Sequence, residues 1–289
     1  MKRIFLCVIA CVTLSASGAL ADELSTPPSL YIASPSTSRF WNGFYFGANG
    51  GYGWADSSAS YTPNDAAALA GTCGGSGRPS GQCIPFPDFR MDGGLAGGQV
   101  GYNWQINAMW LVGVETDYQW SDIKGAAGTT FRLGGVGSTN TAVNETLNSF
   151  GTARIRLGAM PVNSLLLYGT AGFAYGRSSE NFAVANPITA GTGSLSSGGF
   201  SYSCTAGGPS CFAGSASNTV WGWTAGAGAE LALTAHLTLR TEFLYVDLGA
   251  PSGTALAQGN VAGTTPSSFA VGFAPVRFGL VRGGVNFKF

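Results

Sequence analysis

Charge is scarce in this chain. Asp, Glu, Lys and Arg make up 10% of its 289 residues, against about 25% in an ordinary soluble domain. Hydrophobic residues reach 45%, yet beyond the N-terminus no run approaches the ~18 apolar residues of a membrane helix. A membrane-like composition without membrane helices leaves one other way to satisfy backbone polar groups in lipid, the closed β-barrel. Histidine is limited to His236, placed in a turn, and the cysteine spacings do not match a zinc site. No metal or cofactor is expected. No nucleophile or acid/base pair stands with an orienting group, so no catalytic residue is expected. Gly93-Gly94 and Gly134-Gly135 do not join a strand to a helix, which excludes a nucleotide loop. The chain is formally neutral, so it lacks the basic footprint that nucleic acid requires.

What is present begins with an export signal. Lys2 and Arg3, the apolar stretch Ile4 to Leu14, and Ala19-Leu20-Ala21 read as a secretory signal at 1–21, cleaved before Asp22. Its apolar core is about half the ~20 residues that an anchor helix needs. Without Lys2 and Arg3, twelve basic residues face fourteen acidic ones, a net −2. Residues 22–39, rich in Ser, Pro and Thr, read as a periplasmic arm. Cys73, Cys83, Cys204 and Cys211 remain after cleavage, in Gly/Ser/Pro-rich segments. Of the three possible connectivities, the local one (Cys73–Cys83 and Cys204–Cys211) suits an oxidising compartment best.

From Phe40 onward, blocks of period-two alternation are separated by long polar segments and very short ones in turn. That rhythm predicts an all-β, eight-stranded antiparallel transmembrane barrel over 40–289, an up-and-down meander with four long extracellular loops and periplasmic termini. The expected strands are Phe44–Trp54, Gly94–Gln105, Met109–Ser121, Asn148–Met160, Ser164–Gly176, Thr219–Ala232, Leu237–Leu248 and a last one ending at Phe289. The third is the clearest: Trp110, Val112, Val114, Tyr118 and Trp120 alternate with Gly113, Glu115, Asp117 and Gln119. The fifth alternates poorly because Leu165, Leu166 and Leu167 are consecutive, and it is inferred from position. Forty-five glycines, many between aromatics, suit a strongly curved sheet. At eight strands, side chains fill the interior.

These residues carry a resemblance. Trp41-Asn42-Gly43-Phe44-Tyr45-Phe46-Gly47 with Asn49, Gly51 and Tyr52 resembles the opening strand of alphaproteobacterial outer-membrane immunogenic surface antigens, also labelled "porin family" proteins. Those barrels are themselves similar to the OmpA-type transmembrane barrel. Glu242-Phe243-Leu244-Tyr245-Val246-Asp247-Leu248-Gly249 is similar to the family's seventh strand, and Gly283-Gly284-Val285-Asn286-Phe287-Lys288-Phe289 to its close. The likeness covers Phe40 to Phe289. It implies a place in the bacterial outer membrane, no catalytic residues, and a role for Phe287 and Phe289 as a signal to the barrel-assembly machinery.

Two constellations stand out. Glu115, Asp117, Arg154, Arg156, Glu230, Arg240, Glu242, Arg282 and Lys288 all fall on the inward phase. If the turn centres on Ala235, Glu230 lies opposite Arg240. Unpaired charge in a narrow lumen is costly, so acids and bases should pair or meet water. The expectation is a structural ion-pair network; a small selective pore or gate is the functional alternative. Outward Trp and Tyr, among them Tyr52, Trp54, Trp110, Trp120, Trp221 and Trp223, should form girdles at the two headgroup levels. The expected function is structural: a surface protein that supports envelope integrity and displays loops. The alternatives are a small channel for ions or solutes, and an adhesin or receptor acting through loops whose ligand the sequence does not name. Expected partners are outer-membrane lipid and the assembly machinery.

Overall fold

A computed structural model describes residues 40–73, 84–85 and 88–289. The expected signal at 1–21, the arm at 22–39 and the Cys73–Cys83 bridge lie outside the described residues. The elements in chain order are β1 (Gly43–Pro63), α1 (Ala66–Cys73), β2 (Asp88–Gln105), β3 (Trp110–Leu133), β4 (Gly137–Val162), β5 (Leu165–Val184), β6 (Thr192–Ser197) and β7 (Phe200–Thr205). They continue as β8 (Phe212–Ala232), β9 (Leu237–Leu248), β10 (Ser252–Ala257), β11 (Thr265–Pro266), β12 (Ser268–Phe273) and β13 (Arg277–Lys288). Eight strands close a ring in the order β1-β2-β3-β4-β5-β8-β9-β13 and back to β1, every pairing antiparallel. Closure leaves this ring no free edge.

Three short turns sit where the sequence places them, and side chains hold two of them. At the β2–β3 turn, Asn107 Oδ1 accepts from the amides of Met109 and Trp110, both at 2.8 Å. At the β8–β9 turn, Thr234 Oγ1 accepts from the amide of Leu237 at 3.0 Å. Such bonds from Asn and Thr to nearby backbone are what favour these residues in turns. The start of β1 meets the last residue at this end of the ring, where the Phe289 amide donates to the Phe44 carbonyl at 3.2 Å. It is called the terminal end below, and the opposite one distal.

The strands reach much further at the distal end than alternation of outward apolar residues suggests. β3 continues past Ser121 to Leu133, β4 starts at Gly137 instead of near Asn148, and β5 runs to Val184 instead of Gly176. The last long segment is also folded. β10 and β12 form a hairpin that takes over the places of β9 and β13, with β12 on β1 (Tyr61↔Val271), β10 on β12 (Gly253↔Val271) and β10 on β8 (Leu256↔Ala213). The ring therefore stays closed at both levels.

The physical reason for the short reading is an inversion of sidedness. Between Trp110 and Trp120, β3 points apolar and aromatic groups outward and Glu115, Asp117 and Gln119 inward. Beyond Trp120 the outward residues are Asp122, Lys124, Thr130 and Arg132, whereas Ile123, Phe131 and Leu133 are buried. β4 and β5 switch in the same way: Asn140, Asn144 and Arg177 face out, and Val143, Leu147, Phe182 and Val184 face in. The ring is thus a lipid-type barrel at its terminal end and a water-type barrel at its distal end, built from the same strands. The distal interior is one apolar core that includes Phe150, Phe212, Phe269, Phe278, Val246 and Tyr61. α1 and a small sheet of β6, β7 and β11 close its top. Asp65 caps α1 by accepting from the amides of Ala67 and Ala68 at 3.0 and 2.9 Å. Tyr202 of β7 donates to the Gly134 carbonyl at 2.7 Å, and Cys204 bonds to Cys211 just ahead of β8.

Candidate functional site

The outer face near the terminal end sets the frame. Phe44 to Trp54 on β1, Trp110 to Trp120 on β3 and Trp221 to Leu231 on β8 each span ten residue steps. At about 3.3 Å per residue and a tilt near 40°, that is roughly 25 Å of height, the thickness of an outer-membrane apolar band. Exposed Tyr52, Trp54, Trp120, Trp221 and Trp223 ring its distal border, and exposed Trp104 and Trp110 lie toward the terminal border. Neighbouring rings pack across strands, as in Phe173 on Trp221 at 5.5 Å and Trp223 on Tyr245 at 5.6 Å. This band is the membrane tier, and its greasy side chains stand where acyl chains would be.

Inside it, eight charged side chains interlock. Glu115 and Asp117 come from β3, Arg154 and Arg156 from β4, Glu230 from β8, Arg240 and Glu242 from β9, and Arg282 from β13. Their side chains are at most 2% exposed. Four arginines balance four carboxylates, so the set is neutral as a whole. Glu115 is the hub. It meets Arg240 at 2.7 Å and Arg156 at 3.3 Å, binds Arg154, and accepts from the Tyr45 hydroxyl at 2.6 Å. Glu242 is a second hub, with Arg282 at 2.6 Å, Arg240 at 2.9 Å and Arg154 at 3.0 Å. Asp117 joins Arg154 at 2.8 Å to Arg282 at 2.9 Å and accepts from Thr152. Buried charges survive only when each is paired and hydrogen-bonded, and the bonds here cross the lumen in several directions.

The expected neighbours Glu230 and Arg240 are indeed register partners. Their ion pairs nonetheless go elsewhere: Glu230 bonds Arg156 at 2.8 Å, whereas Arg240 turns to Glu115 and Glu242. Two other register pairs, Glu115 with Arg154 and Glu242 with Arg282, do bond directly, so in this narrow cylinder the next strand and the far wall compete for each charge. A neutral polar chain fills the remaining space, from Asn49 through Gln99 to Asn286 and on to Glu230, with successive distances of 2.5, 2.7 and 2.8 Å. The Arg156 guanidinium also lies 4.0 Å from the Tyr168 ring centroid, within cation–π range.

Lys288 is buried in the lumen but stands apart from the network. Its ammonium donates to the Phe40 carbonyl and lies 4.3 Å from the Phe40 ring centroid. Beside it, Trp41 closes the terminal mouth, fully buried against Leu111, Met160, Leu166 and Tyr168, with its indole donating to the Asn163 carbonyl at 3.0 Å. His236 is exposed in its turn and stacks on Phe287 at 5.8 Å. Phe287 and Phe289 are exposed and pack on Phe46 of β1.

Sequence reasoning missed Trp41 as a plug, and it missed Glu145 and Glu180. These two are register partners on β4 and β5, pointing into the distal core. The signal was present as the run Thr139, Thr141, Val143, Glu145, Leu147 at alternate positions, hidden in a segment whose composition reads as loop. Among the described residues, no group of three or more His, Cys, Asp or Glu side chains is placed to hold a metal ion.

Comparison with known proteins agrees with the geometry. The family model "Outer membrane protein beta-barrel domain" matches residues 8–274. The "31 kDa outer-membrane immunogenic protein" of Brucella melitensis and that of Brucella suis are each 30% identical to the chain over 292 residues, covering 100% of both sequences. Among solved structures, the outer membrane protein OprG from Pseudomonas aeruginosa is 12% identical, with 86% of this chain and 97% of that one covered at a TM-score of 0.40.

Proposed function

Because the chain belongs to the outer membrane β-barrel family, of the bacterial outer membrane, we propose that it is a structural surface protein whose barrel is closed to solutes and whose distal tier stands toward the surroundings. One observation carries this reading: the interlocked, buried charge network across the membrane tier. To pass an ion, several of these contacts would have to separate at once, and parting a buried pair leaves uncompensated charge. Trp41 adds a second closure at the terminal mouth.

The orientation follows from the same reading. The terminal end, with its three short turns, faces the periplasm, where the arm at 22–39 would lie. The exposed Phe287 and Phe289 are then available to the barrel-assembly machinery. The function is non-enzymatic: the barrel anchors, contributes to envelope integrity, and displays a folded head. The Brucella relatives are named as immunogenic proteins, which fits a head that faces outward. The test is planar-bilayer recording of the refolded chain. Silence at moderate voltage is expected, and steady channel openings in the wild type would replace this reading with the small-channel one.

A further inference from the structure

Within the apolar core of the distal tier lie two acids and no base. Glu145 and Glu180 are both fully buried and face each other as register partners on β4 and β5. Neutral donors serve three of their four oxygens. Ser57 donates to Glu145 Oε2 at 2.6 Å, Ser178 donates to one oxygen of Glu180, and Asn218 donates to the other at 2.9 Å. Glu145 Oε1 is buried without a partner among the described residues.

Nothing on the surrounding elements supplies compensating charge. Asp56 on β1, Asp88 and Arg90 on β2, Asp122, Lys124 and Arg132 on β3, and Arg177 on β5 are all exposed on the outward face. β8, β10 and β12 carry no charged residue at this level, and β7 carries none. The buried titratable neighbours are the phenols Tyr61 on β1 and Tyr202 on β7, both held protonated by burial. Two carboxylates this close in an apolar setting cannot both ionise at modest cost.

We propose that Glu145 and Glu180 hold one proton between them at neutral pH and act as an acid-stabilised latch on the distal tier. The proton comes from solvent on folding, and it neutralises the carboxyl whose Oε1 is buried without a partner among the described residues. Burial, reinforced by the nearby Glu180 carboxylate, pushes Glu145 up to about 7, and burial also raises Glu180. The sign then follows from linkage. The folded chain binds a proton that the unfolded chain has released, so stability is greatest below the ordinary carboxylate range. It falls as pH rises toward 7, and levels off once the folded pair has lost its proton.

The test is hydrogen exchange by mass spectrometry on the full chain folded in lipid vesicles, at pH 5 and pH 8, after correction for intrinsic exchange rates. In the wild type, peptides from 137–147 and 177–184 should lose protection on the order of tenfold or more at pH 8, with the membrane tier unchanged. Glu145→Gln should sharply reduce that pH dependence. Infrared difference spectroscopy on the wild type supplies a second readout, in which a protonated carboxyl band seen at pH 7 supports the shared proton. Equal protection at both pH values, an undiminished pH response in Glu145→Gln, or absence of the band would overturn the proposal. So would protection at pH 8 that returns with calcium and leaves with chelator, which would make the pair a cation site instead.

Discussion

At the residue scale, Glu115 gathers the ion pairs that hold the lumen together. Arg154, Arg156 and Arg240 all rest on its carboxylate. Glu115→Gln leaves buried guanidinium charge uncompensated, and removing one partner from such a pair costs about 3–5 kcal/mol. Urea unfolding of vesicle-folded protein should show a loss of that size. Adding Arg240→Met should cost less than the sum of the two single changes, because the second substitution removes a charge the first has stranded. Strict additivity would mean that Arg240 does not depend on Glu115. Alternation alone placed nine charges inside, and eight of the nine meet in this network. The pairing was legible only where register partners bond, as Glu115 does with Arg154 and Glu242 with Arg282; register says nothing about which group reaches across, as Arg240 does to Glu115. Lys288 shows the same limit: its phase placed it inside, but its partner is a carbonyl on the entering chain.

At the element scale, β9 was readable to both of its ends, Leu237 and Leu248. It lies wholly within the tier where apolar groups face out. β3, β4 and β5 were cut short because their distal halves follow the opposite rule. Ser, Thr, Asn and Gly on the outward phase resemble loop chemistry until the buried Val143, Phe131 and Phe182 are counted as the other phase. The β10–β12 hairpin was missed for the same reason, its strands being six residues each. That hairpin closes the distal ring between β1 and β8. Replacing residues 250–275 by a short Gly/Ser link should leave the membrane tier folded and expose two new sheet edges above it. Limited proteolysis should then cut β1 and β8 beyond Ala59 and Ala216 while sparing 94–105 and 237–248. Unchanged resistance throughout would show that the distal ring does not need its hairpin.

At the scale of the whole molecule, closure predicts slow, all-or-none behaviour. The chain folded in the outer membrane should migrate apart from the boiled chain on a gel run without heating the sample. If Phe289 guides assembly, deleting it should reduce the unheated folded band in outer-membrane fractions and leave total expression unchanged. A full-strength band from the truncated chain would remove that role from Phe289.

The exchange of inner and outer chemistry at the tryptophan ring has a consequence for recognition by antibodies. β3 climbs thirteen residue steps from Trp120 to Leu133 with β4 paired beside it, roughly 30 Å of height above the lipid after tilt. On that tower only every second residue along a strand looks outward, so adjacent visible groups come from different strands. Any footprint of ordinary size must therefore be a mosaic drawn from several segments. Sera raised against the native tower should bind poorly to linear peptides cut from it, and with the distal tier outward, as proposed above, immunogens made from such peptides should miss most of what the cell presents.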